Sequence, residues 1–399
     1  MKDYQISYKI LKSSLMEKGI NPDKVEEKLK QIKIETPSWG YADSGTRFAI
    51  FKQKEAARNV QERIQDAAEI HKIMGICPSI ALHIPWDMTE KWNELLEYAL
   101  SLGIRPGAIN PNLFQDPDYK LGSLCNPDDK IRGKAIKHVL ECIDIAKILK
   151  SKIISLWLAD GTNHPGQDDI RGRKHRLEES LKEIYQNLEE EMRILIEYKF
   201  FEPAFYNTDI PDWGTAFNLC SKLGDKAMVL VDLGHHPSGT NIEQIVAYLL
   251  DEKRLGGFHF NNKKYADDDL TVGSINPYEL FLIFHELVSA EEEGINLNVA
   301  YMIDQCHNLK PKMEEMIQSV ENIQRIYAKS LIVDRKSLRK FQQVQDIVMS
   351  EKVLTEAFYT DVSPLLFKVR EEMGVPLNPL EFFRKSGYLE KVQKQREFN

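Results

Sequence analysis

The chain has 399 residues, 42% hydrophobic and 29% charged, an ordinary globular composition with ample length for a large buried core. Its 53 Lys and Arg against 61 Asp and Glu leave a formal charge of −8, so there is no basic footprint for nucleic acid or an anionic membrane surface. The five cysteines, Cys77, Cys125, Cys142, Cys220 and Cys306, are scattered without a C-x-x-C pair, which argues against a disulfide framework or a thiolate zinc site.

The opening residues, Met-Lys-Asp-Tyr-Gln-Ile, carry no apolar signal core, and no stretch approaches transmembrane length. A cytoplasmic enzyme with neither nucleic acid nor membrane as partner is the expectation. After a short N-terminal helical segment come eight β-branched runs, each ending in polar, Gly or Pro residues. They are Ile32 to Pro37, Ser79 to Pro85, Gly107 to Asn112, Ile153 to Gly161, Ile194 to Lys199, Met228 to Gly234, Gly257 to Asn261 and Val299 to Asp304. Buried parallel strands read this way, as apolar runs rather than clean alternation.

Between the runs, Lys54 to Met74 places Ala57, Val60, Ile64, Ala67 and Ile70 at spacings of three and four, which predicts an amphipathic helix. Ala135 to Leu149 and Leu177 to Leu195 behave likewise. Strand–helix alternation repeated eight times predicts a (β/α)₈ TIM barrel over residues 1–310, with its active site at the carboxyl ends of the strands. An open doubly wound sheet would want a Gly-rich phosphate turn, and neither G-x-G-x-x-G nor a Walker sequence is present. From 311 to 399 the chain reads as a helical C-terminal extension. Lys312 to Met349 is helical and charged, and further helix is broken by Pro364, Pro376 and Pro379. This extension is expected to pack on the barrel or on a neighbouring subunit.

Polar residues with chemical capacity stand at the ends of consecutive runs. Glu197 and Lys199 end the fifth, two apart and so on one side of a strand. Asp232 ends the sixth, with His235 in the loop beyond; His259 ends the seventh, with Asp267 and Asp269 in its loop; Asp304 ends the eighth. A closed barrel would gather Glu197, Asp232, His259 and Asp304 into a divalent-metal site, and His235, Asp267 and Asp269 could hold a second ion with Asp232 bridging. Taken singly, an Asp after a strand is a helix N-cap, a His at a strand end is a core residue, and Asp267–Asp269 is a solvated turn. Seven such residues on four consecutive strand ends go beyond those readings. Lys199 could equally serve in a strand-end salt bridge.

Several segments then resemble a known family: Leu-His-Ile-Pro-Trp-Asp at 82–87, Phe-Glu-Pro-Ala-Phe-Tyr at 201–206, Val-Asp-Leu-Gly-His-His at 231–236, Gly-Gly-Phe-His-Phe-Asn at 256–261 and Met-Ile-Asp-Gln at 302–305. They are similar to the broad-specificity L-rhamnose isomerases of the xylose-isomerase-like barrels, from about Ile34 to the Ser-Gly-Tyr at 386–388. The resemblance implies an aldose–ketose isomerase, a homotetramer and two divalent ions per subunit, Mn²⁺ foremost with Co²⁺ or Mg²⁺ as alternatives. It implies that Glu197, Asp232, His259 and Asp304 bind the ion chelating O2 and O3 of the sugar. His235, Asp267 and Asp269, sharing Asp232, would bind the ion near the reacting carbons. Lys199 would donate to O1, His83, Trp86, Trp157 and Phe205 would line the sugar pocket, and Phe48 would reach into a neighbouring subunit's site. Cys306 departs from the small polar residue found there in some relatives, which bears on the far end of the sugar. Plain core packing is the competing reading for Trp86, Trp157 and Phe205.

Isomerising an aldose to a ketose moves one hydrogen between C1 and C2 while charge develops on O1 and O2. Two ions, a cation near O1 at Lys199 and a carboxylate orienting water at Asp269 meet that need. The hydrogen travels either as a hydride or, with Glu197 or a hydroxide as base, through an enediol. The resemblance of this ligand set to xylose-isomerase-type sites favours the hydride shift. A ketose 3-epimerase on the same barrel is the close rival. A phosphodiesterase acting on DNA would need basic residues around the site, and a non-catalytic binding barrel is the remaining alternative.

Overall fold

The computed structural model describes residues 3–43, 51–159, 161, 164–201, 208–265, 267–305 and 309–397. Two helices, α1 (Asp3–Glu17) and α2 (Pro22–Gln31), precede the first strand. The strands are β1 (Glu35–Pro37), β2 (Ser79–Ile84), β3 (Arg105–Pro111), β4 (Ile153–Leu156), β5 (Arg193–Glu197), β6 (Ala227–Asp232), β7 (Leu255–Phe260) and β8 (Ala300–Ile303). They pair in parallel in chain order and close where β1 meets β8, Glu35 opposite Met302. Each of the eight apolar runs became a strand. One helix follows each: α3 (Val60–Met74), α4 (Trp92–Ser101), α5 (Asp129–Leu149), α6 (Ile170–Gln186), α7 (Trp213–Leu223), α8 (Ile242–Asp251), α9 (Pro277–Glu292) and α10 (Lys312–Leu331). The fold is the expected (β/α)₈ TIM barrel.

Several helix boundaries differ from the sequence expectation. The helix expected from Lys54 starts at Val60, because the Asn59 side chain accepts from the Glu62 N–H and caps it there. The helix expected over Leu177–Leu195 ends at Gln186. The apolar spacing overran because Leu188 and Met192 are buried in the core from a turn, outside any helix. The helical segment expected from Lys312 to Met349 comprises α10, α11 (Arg335–Gln343) and the start of α12 (Ile347–Tyr359), with Asp334 and Asp346 capping the last two. Pro364 and Pro379 start helices rather than break them, at the first turns of α13 (Ser363–Met373) and α14 (Pro379–Lys385). The last helix is α15 (Tyr388–Glu397).

Side chains inside the barrel form their own small cluster. Trp39, Ala81, Ala108, Leu195, Leu230 and Met302 are buried together, with Trp86, Ile153, Met228 and Ala300 against them. The alternate strand residues, such as Ile194, Ile196, Val229, Val231, Phe258 and Phe260, face the helices in the main core. At the amino end of the barrel the register between β2 and β3 shifts from Ile80 to Leu82. The Ala108 N–H there donates to Glu35 Oε1 at 2.9 Å. A Cβ on Gly107 would lie 1.6 Å from Glu35 Oε2, so glycine makes the room for that carboxylate.

The extension closes back on the barrel. Helix α1 packs on α13, and α2 packs on α10 and α13. Arg396 on α15 donates to Asp66 on α3 at 2.9 Å, and the Tyr388 hydroxyl donates to the same carboxylate at 2.7 Å. Burial pushes the Asp66 carboxyl up to about 6 even with Arg396 opposing it. Among the described residues, no helix is long and apolar enough to cross a membrane.

Candidate metal centre

Strand parity aims the site. Leu195, Leu230 and Met302 point into the barrel, so Glu197, Asp232 and Asp304, each two residues later, point the same way at its carboxyl end. His259 pairs with both Asp232 and Met302 in the sheet and joins them. Donor atoms of Glu197, Asp232, His259 and Asp304 all lie within 4.8 Å of one another. His259 Nδ1 is 3.3 Å from Glu197 Oε1, 3.3 Å from Asp304 Oδ2 and 3.8 Å from Asp232 Oδ2. Buried among those oxygens, it has no aligned hydrogen bond.

Neighbouring groups hold the carboxylates in place. Asp232 accepts from the Gly234 N–H at 2.7 Å and from Asn261 Nδ2 at 2.9 and 3.1 Å. Trp39 Nε1 donates to Asp304 Oδ1 at 2.8 Å, leaving Oδ2 toward His259. Such outer contacts fix the direction in which a ligand atom points.

The second expected set adjoins the first. His235 Nδ1 lies 3.1 Å from the Tyr198 carbonyl oxygen. A carbonyl only accepts, so Nδ1 carries a proton, and in the neutral imidazole Nε2 would be the atom able to coordinate. That Nε2 faces Asp267 Oδ1 at 3.4 Å. Lys199, 1% exposed, donates to Asp267 Oδ2 at 2.6 Å and sits 5.3 Å from the Trp157 ring centre. Asp269 adopts the left-handed backbone, φ +45°, which a non-glycine residue adopts at a cost.

Charge in this site is crowded. Burial lifts the Asp232 carboxyl to about 7 against the pull of His235, and Glu197 and Asp304 add to the rise. Burial and the carboxylates of Asp267, Asp304 and Asp232 hold Asp269 well above the usual range. Burial alone would lift Glu197, but His259 and His235 bring it down to about 2. Burial opposes the His259 charge, yet Glu197 and Asp304 carry it to about 9. Carboxylates that raise one another and imidazoles that stay charged are what a divalent cation relieves. The separations also suit an ion, whose ligands at about 2.2 Å lie within roughly 4.5 Å of each other. The donor set fits a metal.

Facing the charged cluster is a wall of rings. His83 stacks on Trp86 at 3.8 Å between centres, and Phe114 lies 5.8 Å from His83, 6.2 Å from Trp86 and 4.7 Å from Trp157. Trp39 meets His83 edge-on at 5.6 Å. Burial keeps the His83 imidazole down at about 3, hence neutral, and its Nδ1 and Trp157 Nε1 are buried without a hydrogen-bond partner. Asp87, 1% exposed, steadies the wall by accepting from the His83 N–H at 2.7 Å, Ser38 Oγ at 2.5 Å and Arg63 at 2.5 Å.

The structure therefore brings together Glu197, Lys199, Asp232, His235, His259, Asp267 and Asp304 on one side and His83, Trp86 and Trp157 on the other. Phe48, Phe205 and Cys306 lie outside the described residues. Sequence reasoning missed Trp39, Phe114 and Asn261. Trp39 is two residues beyond Pro37 at the end of β1, so counting on in strand parity would have found it. Asn261 was inside a quoted motif, and Phe114 sits in a loop with no periodicity to reveal it.

Comparison with known proteins accords with this geometry. The family described as xylose isomerase-like TIM barrel matches residues 66–299. A protein of Rhizobium meliloti (strain 1021) named "Probable sugar isomerase" is 43% identical over 98% of this chain and 92% of its own. One of the same name from Mesorhizobium japonicum is 41% identical over 99% and 93%. Among solved structures, an L-ribulose 3-epimerase superposes with a TM-score of 0.52 at 13% identity, covering 79% of this chain and 98% of its own, a likeness of fold. On these matches, the chain belongs to the xylose isomerase-like TIM barrel family.

Proposed function

We propose that the protein is a metal-dependent aldose–ketose isomerase that converts L-rhamnose to L-rhamnulose and accepts similar aldoses such as L-mannose and D-allose. The observation that carries this reading is the adjoining pair of donor groups: Glu197, Asp232, His259 and Asp304 beside His235 and Asp267, with the buried Lys199 ammonium between the latter and Trp157. Both relatives named as sugar isomerases match nearly the whole chain.

Two divalent ions, Mn²⁺ foremost and Co²⁺ or Mg²⁺ as substitutes, would supply Lewis-acid polarisation of the substrate oxygens. Glu197, Asp232, His259 and Asp304 would hold one, and His235, Asp267 and Asp269 with Asp232 shared would hold the other. Lys199 donates a hydrogen bond to O1, where negative charge develops. Asp269 orients the water through which protons pass between O1 and O2. His83, Trp86 and Trp157 pack on the carbon face of the sugar and exclude bulk water; Phe205, and Phe48 from a neighbouring subunit of a homotetramer, complete the pocket. The hydrogen moves as a hydride from C2 to C1, the route favoured by the likeness of this ligand set to xylose-isomerase-type sites. A cytoplasmic location completes the proposal.

The test is turnover of L-rhamnose by metal-stripped protein before and after Mn²⁺, with L-mannose and D-allose in parallel. Activity restored on L-rhamnose is expected. Silence on all three aldoses with metal bound would overturn the reading. It would favour a ketose 3-epimerase, for which one observation speaks: among the described residues, one four-ligand group closes within 4.8 Å. Turnover of ketoses with a single bound ion would establish that alternative.

A further inference from the structure

Helix α10 lies outside the barrel and most of its length is buried, yet one stripe of it is polar. Glu315, Ser319 and Asn322 follow one another at spacings of four and three, and so share a helix face. Glu315 and Ser319 are 3% and 0% exposed. Buried polar side chains persist where their partners are fixed.

Their partners belong to two separate segments. Thr271 Oγ1 donates to Glu315 Oε1 at 3.3 Å, the Val272 N–H to Ser319 Oγ at 3.4 Å, and Asn322 Nδ2 to the Val272 carbonyl at 2.8 Å. Thr271 and Val272 directly follow the loop carrying Asp267 and Asp269, whose base is closed by paired hydrogen bonds of 2.9 and 2.8 Å between Asn262 and Leu270. On the other side, Ser319 Oγ donates to Gln305 Oε1 at 2.5 Å, and the Gln305 side chain also bonds Glu315. Gln305 directly follows Asp304. The donors run in one sense. Lys310 donates to Thr271 and Thr271 to Glu315, while Val272 donates to Ser319, Ser319 to Gln305 and Gln305 to Glu315. A network whose members are satisfied in one direction is stiff.

We infer that Glu315, Ser319 and Asn322 of α10 are positioning residues that clamp the Asp267–Asp269 loop to the end of β8 and thereby set the spacing between the two halves of the metal centre. The inference rests on the metal reading above and adds which residues outside the donor set determine its geometry. None of the three touches a ligand side chain; each acts through Thr271, Val272 or Gln305.

The test measures Mn²⁺ affinity and stoichiometry by titration calorimetry on stripped protein, together with thermal melting of the stripped form. Variants are Ser319→Ala, Glu315→Leu, the conservative Glu315→Gln, and Asp304→Asn as a reference. Expected is a 10- to 100-fold loss of Mn²⁺ affinity in Ser319→Ala and Glu315→Leu, with Ser319→Ala melting within a few degrees of wild type. Glu315→Gln, which still offers Thr271 an acceptor, should recover most of the affinity. Wild-type affinity in the α10 variants, set against loss in Asp304→Asn, would overturn the clamp alone. Wild-type affinity in every variant, Asp304→Asn included, would overturn the metal reading and the clamp with it. Ser319→Ala removes one atom, so the inference stays testable if Glu315→Leu fails to fold.

Discussion

The barrel has two unlike halves. At the carboxyl ends of β5 to β8 stand carboxylates and an imidazole within 4.8 Å of one another, whereas at or just beyond the ends of β1, β2 and β4 stand Trp39, His83 and Trp157, with Trp39 edge-on to His83 and Phe114 touching both His83 and Trp157. Even histidine differs across the mouth. His259 in the charged half is carried to about 9 by its carboxylates, while burial holds His83 among the rings at about 3. One scaffold with one strand geometry yields both, so the division of labour lies in the last inward residue of each strand. The charged half gathers donor groups that could hold a metal ion, and the ring half sets an aromatic wall opposite them.

This contrast can be broken most sharply at Glu197. Glu197→Gln should lower kcat by at least about 10³-fold and release metal, read by steady-state kinetics and elemental analysis. Lys199→Met should cost roughly 10² to 10³ in kcat while metal remains bound, which separates charge placement from metal holding. In the ring half, Asp87→Ala strands the Arg63 guanidinium and should cost about 3 kcal/mol of stability in denaturant unfolding. Trp157→Ala should raise KM about tenfold, near 1.4 kcal/mol, with kcat changed only a few-fold. A kcat collapse there instead would erase the distinction between the halves. A further effect is a pH dependence of stability. The folded-state value of His83 is depressed to about 3, below an unfolded value of about 6.5. The unfolded chain therefore takes up the proton first, and stability is lost as pH falls from about 6.5 toward 3. His83→Gln should remove on the order of 1 to 2 kcal/mol of that loss at pH 5, measured by denaturant unfolding of stripped protein at pH 7 and 5.

All eight strands were legible because β5, β6 and their neighbours are buried on both faces and read as continuous apolar runs. Their polar last residues stood out for the same reason. Helix ends were less legible. Leu188 and Met192 keep an apolar rhythm through a turn, and Asn59 starts α3 by a local hydrogen bond that no periodicity reports. The α10 stripe was hidden differently. Glu315, Ser319 and Asn322 lie in a segment that reads only as helical and charged, and only the folded chain places Thr271 and Gln305 against them.

The glutamate under the barrel floor carries a consequence for how this sequence can drift. Glu35 occupies the space that any side chain at position 107 would need, and it supplies the acceptor for the Ala108 N–H. The two positions are thus locked in inheritance. A lineage that gains a side chain at 107 must in the same step shorten residue 35 and find the amide a new acceptor, so the pair should change together across relatives or not at all.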